Sequence, residues 1–151
     1  MRIYVDADAC PVVDTIINEA KTYNTEVILV KSYNHYSLQE YPDHVKVSYV
    51  DSGADAADYK IVGLAKQHDL IVTQDYGLAA LGLEKGCYVL HHVGFHYTKE
   101  RIDQMLDERH RKAKARKAGF RTKGPKKLEQ TQKESFRNSL RKLLDNYSSS
   151  S

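Results

Sequence analysis

The chain's 151 residues, 41% apolar and 28% charged, suit one globular domain with a real hydrophobic core and exclude a disordered chain. No apolar run nears the ~20 residues that span a bilayer, and the two cysteines, Cys10 and Cys87, exclude a disulfide framework, so the expected address is the cytoplasm. The net charge of +3 conceals an acidic body, with 7 Lys and Arg against 13 Asp and Glu over residues 1–98, and a basic region, with 16 against 7 over residues 99–151.

The first expected strand is Ile3-Tyr4-Val5, which turns acidic at Asp6 instead of continuing as a secretory leader would. Pro11 to Tyr23 reads as a helix with Val12, Val13, Ile16, Ile17 and Ala20 on one face. Pro11 is expected at its first position, where the missing N–H costs nothing. Val27 to Val30 predicts a second strand. Ser32 to His44 fits no period; it is polar, carries Tyr33, His35, Tyr36 and Tyr41, and reads as a long surface connection. Val45 to Val50 predicts a third strand. Asp55 to His68 predicts a helix with Ala57, Ile61, Leu64 and Ala65 inward. Leu70 to Thr73 is the fourth strand, Leu78 to Glu84 a short helix stopped by Gly86, and Tyr88 to Leu90 the fifth strand.

Thr98 suits an N-cap for a helix with Ile102, Met105 and Leu106 inward. That helix runs on into Arg109, Arg111, Lys112, Lys114, Arg116 and Lys117, and Gly119 and Gly124-Pro125 break the region. In a last helix, Phe136, Leu140, Leu143, Leu144 and Tyr147 form a stripe at helical spacing, expected to dock on the core. Residues 1–147 read as one domain whose basic helical part covers 99–147, and Ser148 to Ser151 as a frayed tail.

Near-continuous apolar strands separated by helices predict a three-layer α/β fold: a mostly parallel central sheet of about five strands, with C-terminal helices. In such sheets ligands bind outside the carboxyl ends of the strands. Five aspartates fall there. Asp6 and Asp8 follow the first strand, Asp75 follows the fourth, and Asp55 and Asp58 open the helix after the third, three residues apart on one face. Each has a plainer role open to it, as a helix cap or a partner of a helix dipole. Together they imply more. Two carboxylates 4 Å apart repel by ~4 kcal/mol at an effective dielectric of 20, so a convergent cluster needs protons or a cation. Carboxylate oxygens favour Mg²⁺ or Mn²⁺. That reading requires strands one and four to be neighbours.

Three stretches carry a family resemblance: Val5-Asp6-Ala7-Asp8-Ala9-Cys10-Pro11, Gly53-Ala54-Asp55-Ala56-Ala57-Asp58 and Thr73-Gln74-Asp75-Tyr76-Gly77-Leu78-Ala79. With Tyr97-Thr98 and Gly119-Phe120-Arg121-Thr122-Lys123-Gly124-Pro125, they resemble the YaiI/YqxD family of bacterial proteins over essentially the whole chain. The family's acidic pattern is similar to that of PIN-like nucleases, which use sheet-edge carboxylates to bind Mg²⁺ or Mn²⁺ and cut RNA. The resemblance implies a PIN-like fold, with Asp6, Asp8, Asp55, Asp58 and Asp75 as metal ligands and catalytic residues. His91-His92-Val93-Gly94 departs from the family, where an Asn-Pro-Arg-Gly-like turn is common.

On this reading the protein is a metal-dependent ribonuclease. Arg109, Arg111, Lys112, Arg116, Arg121, Thr122 and Lys123 would grip the RNA backbone, and Tyr33, Tyr36 and Tyr41 could stack unpaired bases. The plain alternative for the basic helix is a solvated surface. Two rival functions remain open. One is a non-catalytic RNA- or ribosome-associated protein. The other is a phosphatase with Asp6 as nucleophile and Asp8 as acid/base, since Asp-x-Asp after a buried strand also resembles haloacid-dehalogenase-type enzymes. Cys10 opens a helix, where a thiolate is favoured, yet Asp6 and Asp8 oppose one. His91, His92 and His96 form no recognisable zinc site, though one of them could serve as a base or phosphate contact.

Overall fold

The computed structural model describes residues 1–53, 55–117 and 129–150, and the side chains of all of these except 114–117, 149 and 150. Five strands, β1 (Arg2–Asp6), β2 (Glu26–Ser32), β3 (Val45–Val50), β4 (Leu70–Val72) and β5 (Tyr88–Leu90), form one sheet. Their order is β3-β2-β1-β4-β5 and every pairing is parallel. Among the described residues there are five α-helices: α1 (Val13–Thr22), α2 (Ala56–Leu64), α3 (Tyr76–Glu84), α4 (Lys99–Lys117) and α5 (Gln130–Ser150). The expected α/β architecture holds, with the sheet parallel throughout.

The strands read as continuous apolar runs because both faces of the sheet are covered. Side chains alternate across it. Ile3, Val5, Val27, Leu29, Leu70, Val72 and Leu90 point to one face, where they join Val12, Ile16 and Ala20 near and on α1 and Phe136, Leu140 and Leu144 of α5. Tyr4, Ile28, Val30, Ile71 and Val89 point to the other, against Ile61 and Ala65 at α2, Leu78 and Ala79 of α3 and Ile102 of α4. The stripe on the last helix therefore docks as expected, with Phe136, Leu140 and Leu144 buried, Leu143 at the margin and Tyr147 at the rim. A buried carboxylate, Glu19, ties the two helices on that side, receiving Nε of Arg141 at 2.9 Å.

Several boundaries move for local reasons. Pro11 does not open α1: the chain makes a 3₁₀ turn over Ala7–Ala9, and the N-cap falls on Val12. The second helix stops at Leu64, because Ala65 is already extended and Asp69 draws the next turn tight by accepting the amides of Lys66 and Arg2, both at 2.9 Å. Leu64 is consequently exposed, not inward. Leu106 is also exposed, since α4 meets its neighbours through Ile102, one turn earlier, and Met105, a step round the helix. Thr98 caps α4 as expected, its Oγ1 accepting the Arg101 amide at 3.1 Å. The last helix continues through Ser150, into the stretch expected to fray. Gly119 and Gly124-Pro125 lie outside the described residues.

Strand order positions everything that follows. The chain moves outward from β1 to β2 and β3, then crosses back to place β4 on the other flank of β1. The carboxyl ends of β1 and β4 thus form a topological switch point, the place where such sheets open a crevice.

Candidate active site

The requirement set by the sequence, β1 beside β4, is met: Val5 is in register with Val72. Asp6 ends β1. Thr73 and Asp75 follow β4, and one hydrogen-bonded chain joins all three. The Thr73 hydroxyl donates to Asp6 Oδ2 at 3.0 Å, and its oxygen accepts the Asp75 amide at 3.0 Å. Asp75 is the N-cap of α3, its Oδ1 accepting the amides of Gly77 at 2.7 Å and Leu78 at 3.4 Å. The capping role considered for Asp75 is therefore real.

Electrostatics bring the third segment in. Burial, then the charges of Asp75, Asp6 and Asp55, push the Asp58 carboxyl from 3.8 up to about 6. Burial also raises Asp6; the Thr73 hydrogen bond opposes this, and the charges of Asp75 and Asp8 add to it. Carboxylates from β1, α2 and the β4–α3 turn therefore feel one another, with Asp6, Asp58 and Asp75 at the centre and Asp8 and Asp55 flanking. Asp55 is the N-cap residue of α2 but makes no capping hydrogen bond with its side chain. Asp8 turns away toward the chain after β2, accepting the Ser32 amide at 3.1 Å and pairing with Nδ1 of His35 at 2.9 Å. Asp69 offers the contrast: a buried carboxylate engaged by two backbone amides at the opposite end of the sheet, and purely structural.

This arrangement has a measurable cost. A folded-state pKa above the unfolded value means that stability falls as pH rises from about 4 through about 6 and stays reduced above that. For a fully shielded group, the rise would correspond to ~3 kcal/mol; Asp58 is only half-buried, so solvent screening reduces this to about 1 kcal/mol. Asp58→Asn is expected to be more stable than wild type by that amount in chelator at neutral pH. The difference should vanish below pH ~3, where Asp58 is neutral in the folded and the unfolded chain alike. Urea denaturation at the two pH values measures it, and equal gains at both would show that repulsion is not the cause.

An all-oxygen set of Asp6, Asp58 and Asp75 suits a hard divalent cation in its chemistry. As the side chains stand, no three His, Cys, Asp or Glu among the described residues form a group able to hold a metal ion. The Asp75 carboxylate is occupied by its own helix and Asp8 by the β2–β3 connection. Beside Asp75 lies an unmet donor: the Tyr97 hydroxyl is buried with no hydrogen-bond partner, and burial, then the charge of Asp75, raise its pKa. An orphaned buried hydroxyl next to a carboxylate cluster is the kind of exception that calls for a ligand. Tyr97 stood in the sequence only as part of the Tyr97-Thr98 motif, with no role attached, because it lies in a loop beyond β5 and its neighbourhood exists only in three dimensions.

The basic candidates divide. Arg109 reaches back from α4: its guanidinium donates to the Tyr76 hydroxyl, and its pKa is raised first by that bond and in smaller part by the charge of Asp75. Arg111 and Lys112 are exposed on the same helix. Arg116 falls in α4 without a described side chain, and Arg121, Thr122 and Lys123 lie outside the described residues. Cys10 is held as a thiol, its pKa raised by burial to about 11 against a lowering backbone hydrogen bond, with Asp6 raising it further. His91 is neutral, lowered to about 4 by burial and then by His92. It packs flat on Phe95 at 4.6 Å and accepts the Val93 amide on Nδ1 at 3.1 Å. His91 is thereby held in the packing at the β5 end.

Comparison with known proteins agrees with the whole-chain motif pattern. The model of a family described as "Uncharacterized BCR, YaiI/YqxD family" matches residues 4–146. A UPF0178 protein of Oceanobacillus iheyensis is 60% identical over 136 residues, covering 90% of this chain and 93% of its own length. UPF0178 proteins of Bacillus cereus and Bacillus anthracis are each 58% identical over 144 residues, covering 95% of this chain and 99% of their own. No solved structure matches the chain.

Proposed function

The chain belongs to the YaiI/YqxD family, and on that premise we propose that it is a Mg²⁺- or Mn²⁺-dependent hydrolase of RNA phosphodiesters. The observation that carries this reading is the pairing of β1 with β4, which joins Asp6, Thr73 and Asp75 in one hydrogen-bonded chain at the switch point; Asp58 lies within the field of both carboxylates, which add to the rise that burial gives its own pKa. A fold gains nothing from gathering like charges at the switch point of its sheet unless something cationic arrives there.

Asp6, Asp58 and Asp75 would hold the ion, with Asp8 and Asp55 beside them. A divalent ion bound there supplies a Lewis acid and an activated water. The chain's own groups do the rest. Thr73 fixes the Asp6 carboxylate through its hydroxyl, Tyr97 offers an unused proton next to Asp75, and Arg109, Arg111 and Lys112 present positive charge to a phosphate backbone. The phosphatase alternative is less well supported, because the Asp8 carboxylate faces Ser32 and His35. The non-catalytic RNA-binding reading uses the basic helix equally well but leaves the carboxylate cluster without a purpose.

Calorimetric titration with Mn²⁺ tests the proposal. Wild type is expected to bind, and Asp75→Asn to lose at least tenfold in affinity, as metal sites do when a supporting group is removed. Cleavage of single-stranded RNA should follow metal addition and stop in chelator. Folded wild type that neither binds Mn²⁺ nor cleaves RNA with Mn²⁺ present would reduce the aspartates to caps and favour the non-catalytic reading.

A further inference from the structure

We infer that the tyrosines gathered at the end of β3 form a stacking subsite for an unpaired nucleobase of single-stranded RNA; the choice of RNA rests on the hydrolase reading above. Tyr33, in a 3₁₀ turn over Tyr33–His35, stacks on Tyr49 of β3 with ring centroids 5.6 Å apart and planes inclined by 17°. Tyr36 approaches the same ring at 5.2 Å, tilted by 46°. Beside them lies a shallow, open depression of ≈ 490 Å³ lined by Tyr33, Tyr49, Asp51, Ala56, Tyr59 and Lys60. Tyr33, Tyr36 and Tyr59 are 58%, 60% and 73% exposed. Single exposed aromatic rings are ordinary; several on one concave surface are the kind of patch that marks a binding site.

Two connections fix this patch beside the carboxylates. The turn that carries Tyr33 is anchored on Asp8, through the Ser32 amide at 3.1 Å and His35 at 2.9 Å. Asp55 precedes Tyr59 by four residues at the start of α2 and so shares its face. The rim also carries one acid and one base, Asp51 and Lys60, matching the mixed acceptors and donors of a base edge. Every nucleobase has a flat face to stack, and only an unpaired one can present it.

The test needs no metal and no cleavage. A single-stranded RNA hexamer containing 2-aminopurine is titrated into the full chain in chelator; the protein has no Trp, so the probe's emission is read cleanly. Stacking should quench it. Replacing both exposed rings, Tyr33→Ser with Tyr59→Ser, is expected to weaken binding about tenfold or more and to remove the quench, while Tyr33→Phe with Tyr59→Phe keeps both. The subsite is overturned if the serine pair binds and quenches like wild type, or if duplex RNA of the same sequence binds as tightly as the single strand. Quenching by a wild type that never cleaves would overturn only the hydrolase reading. Metal-dependent cleavage without quenching would overturn only the subsite.

Discussion

Asp6→Asn is expected to lower metal-dependent cleavage of single-stranded RNA by about a hundredfold or more while leaving the protein folded. Asp6 stands at the end of the central strand, half-buried and within the field of Asp75 and Asp8. Asparagine has the same shape, and its carbonyl can still accept the Thr73 hydroxyl that now donates to Asp6 at 3.0 Å. What disappears is one negative charge, in a setting where a charge aimed at the reacting centre is commonly worth ~10²–10³ in rate. Because burial opposes ionised Asp6, the variant should melt no lower than wild type in chelator. Parallel measurement of cleavage and melting temperature separates the effects. A variant that cleaves normally would exclude Asp6 from the chemistry, and one that melts much lower would make it a structural residue.

Phe136→Ala should produce the largest loss of stability, about 3–5 kcal/mol, since a fully buried aromatic leaves both its transfer energy and an unfilled cavity behind. Phe136 is 0% exposed and belongs to the core shared with Ile3, Val5 and Ile16. The other aromatic rings against that face among the described residues, Tyr23 and Tyr41, sit at its margin, so they cannot close the gap. For a chain of this size the loss corresponds to a fall in melting temperature on the order of 10 °C. Chemical denaturation measures it directly. A loss below ~1 kcal/mol would mean that α5 rests on the core without being part of it.

Much of this was readable before any coordinates. The bounds of β3 and β5 coincide with the apolar runs that predicted them, because strands buried on both faces leave little ambiguity. The aspartates were visible by the same logic, since each follows a strand or opens a helix. Adjacency was not visible: nothing in the order of residues puts β4 beside β1, and on that pairing the cluster depends. Helical spacing identified the stripes of α2 and α4 but not their width, so Leu64 and Leu106 read as inward although both are exposed at the edge. Tyr41 looked like a stacking residue because it shares a loop with Tyr33 and Tyr36. In the fold it leans on the core and its hydroxyl accepts from Lys31 at 3.1 Å. The rings that gather around Tyr33 come from a strand and a helix, Tyr49 and Tyr59, which no local pattern connects.

The docking of α5 against β1 has a consequence for biosynthesis. The strand β1 shares its core with Phe136, Leu140 and Leu144, which are synthesised about 130 residues after it. Until they emerge, one face of the sheet has only α1 to cover it, and its apolar strands remain partly open to solvent. Completion of this half of the core therefore waits for α5, and the nascent chain passes through an interval in which it exposes the kind of apolar surface that chaperones bind.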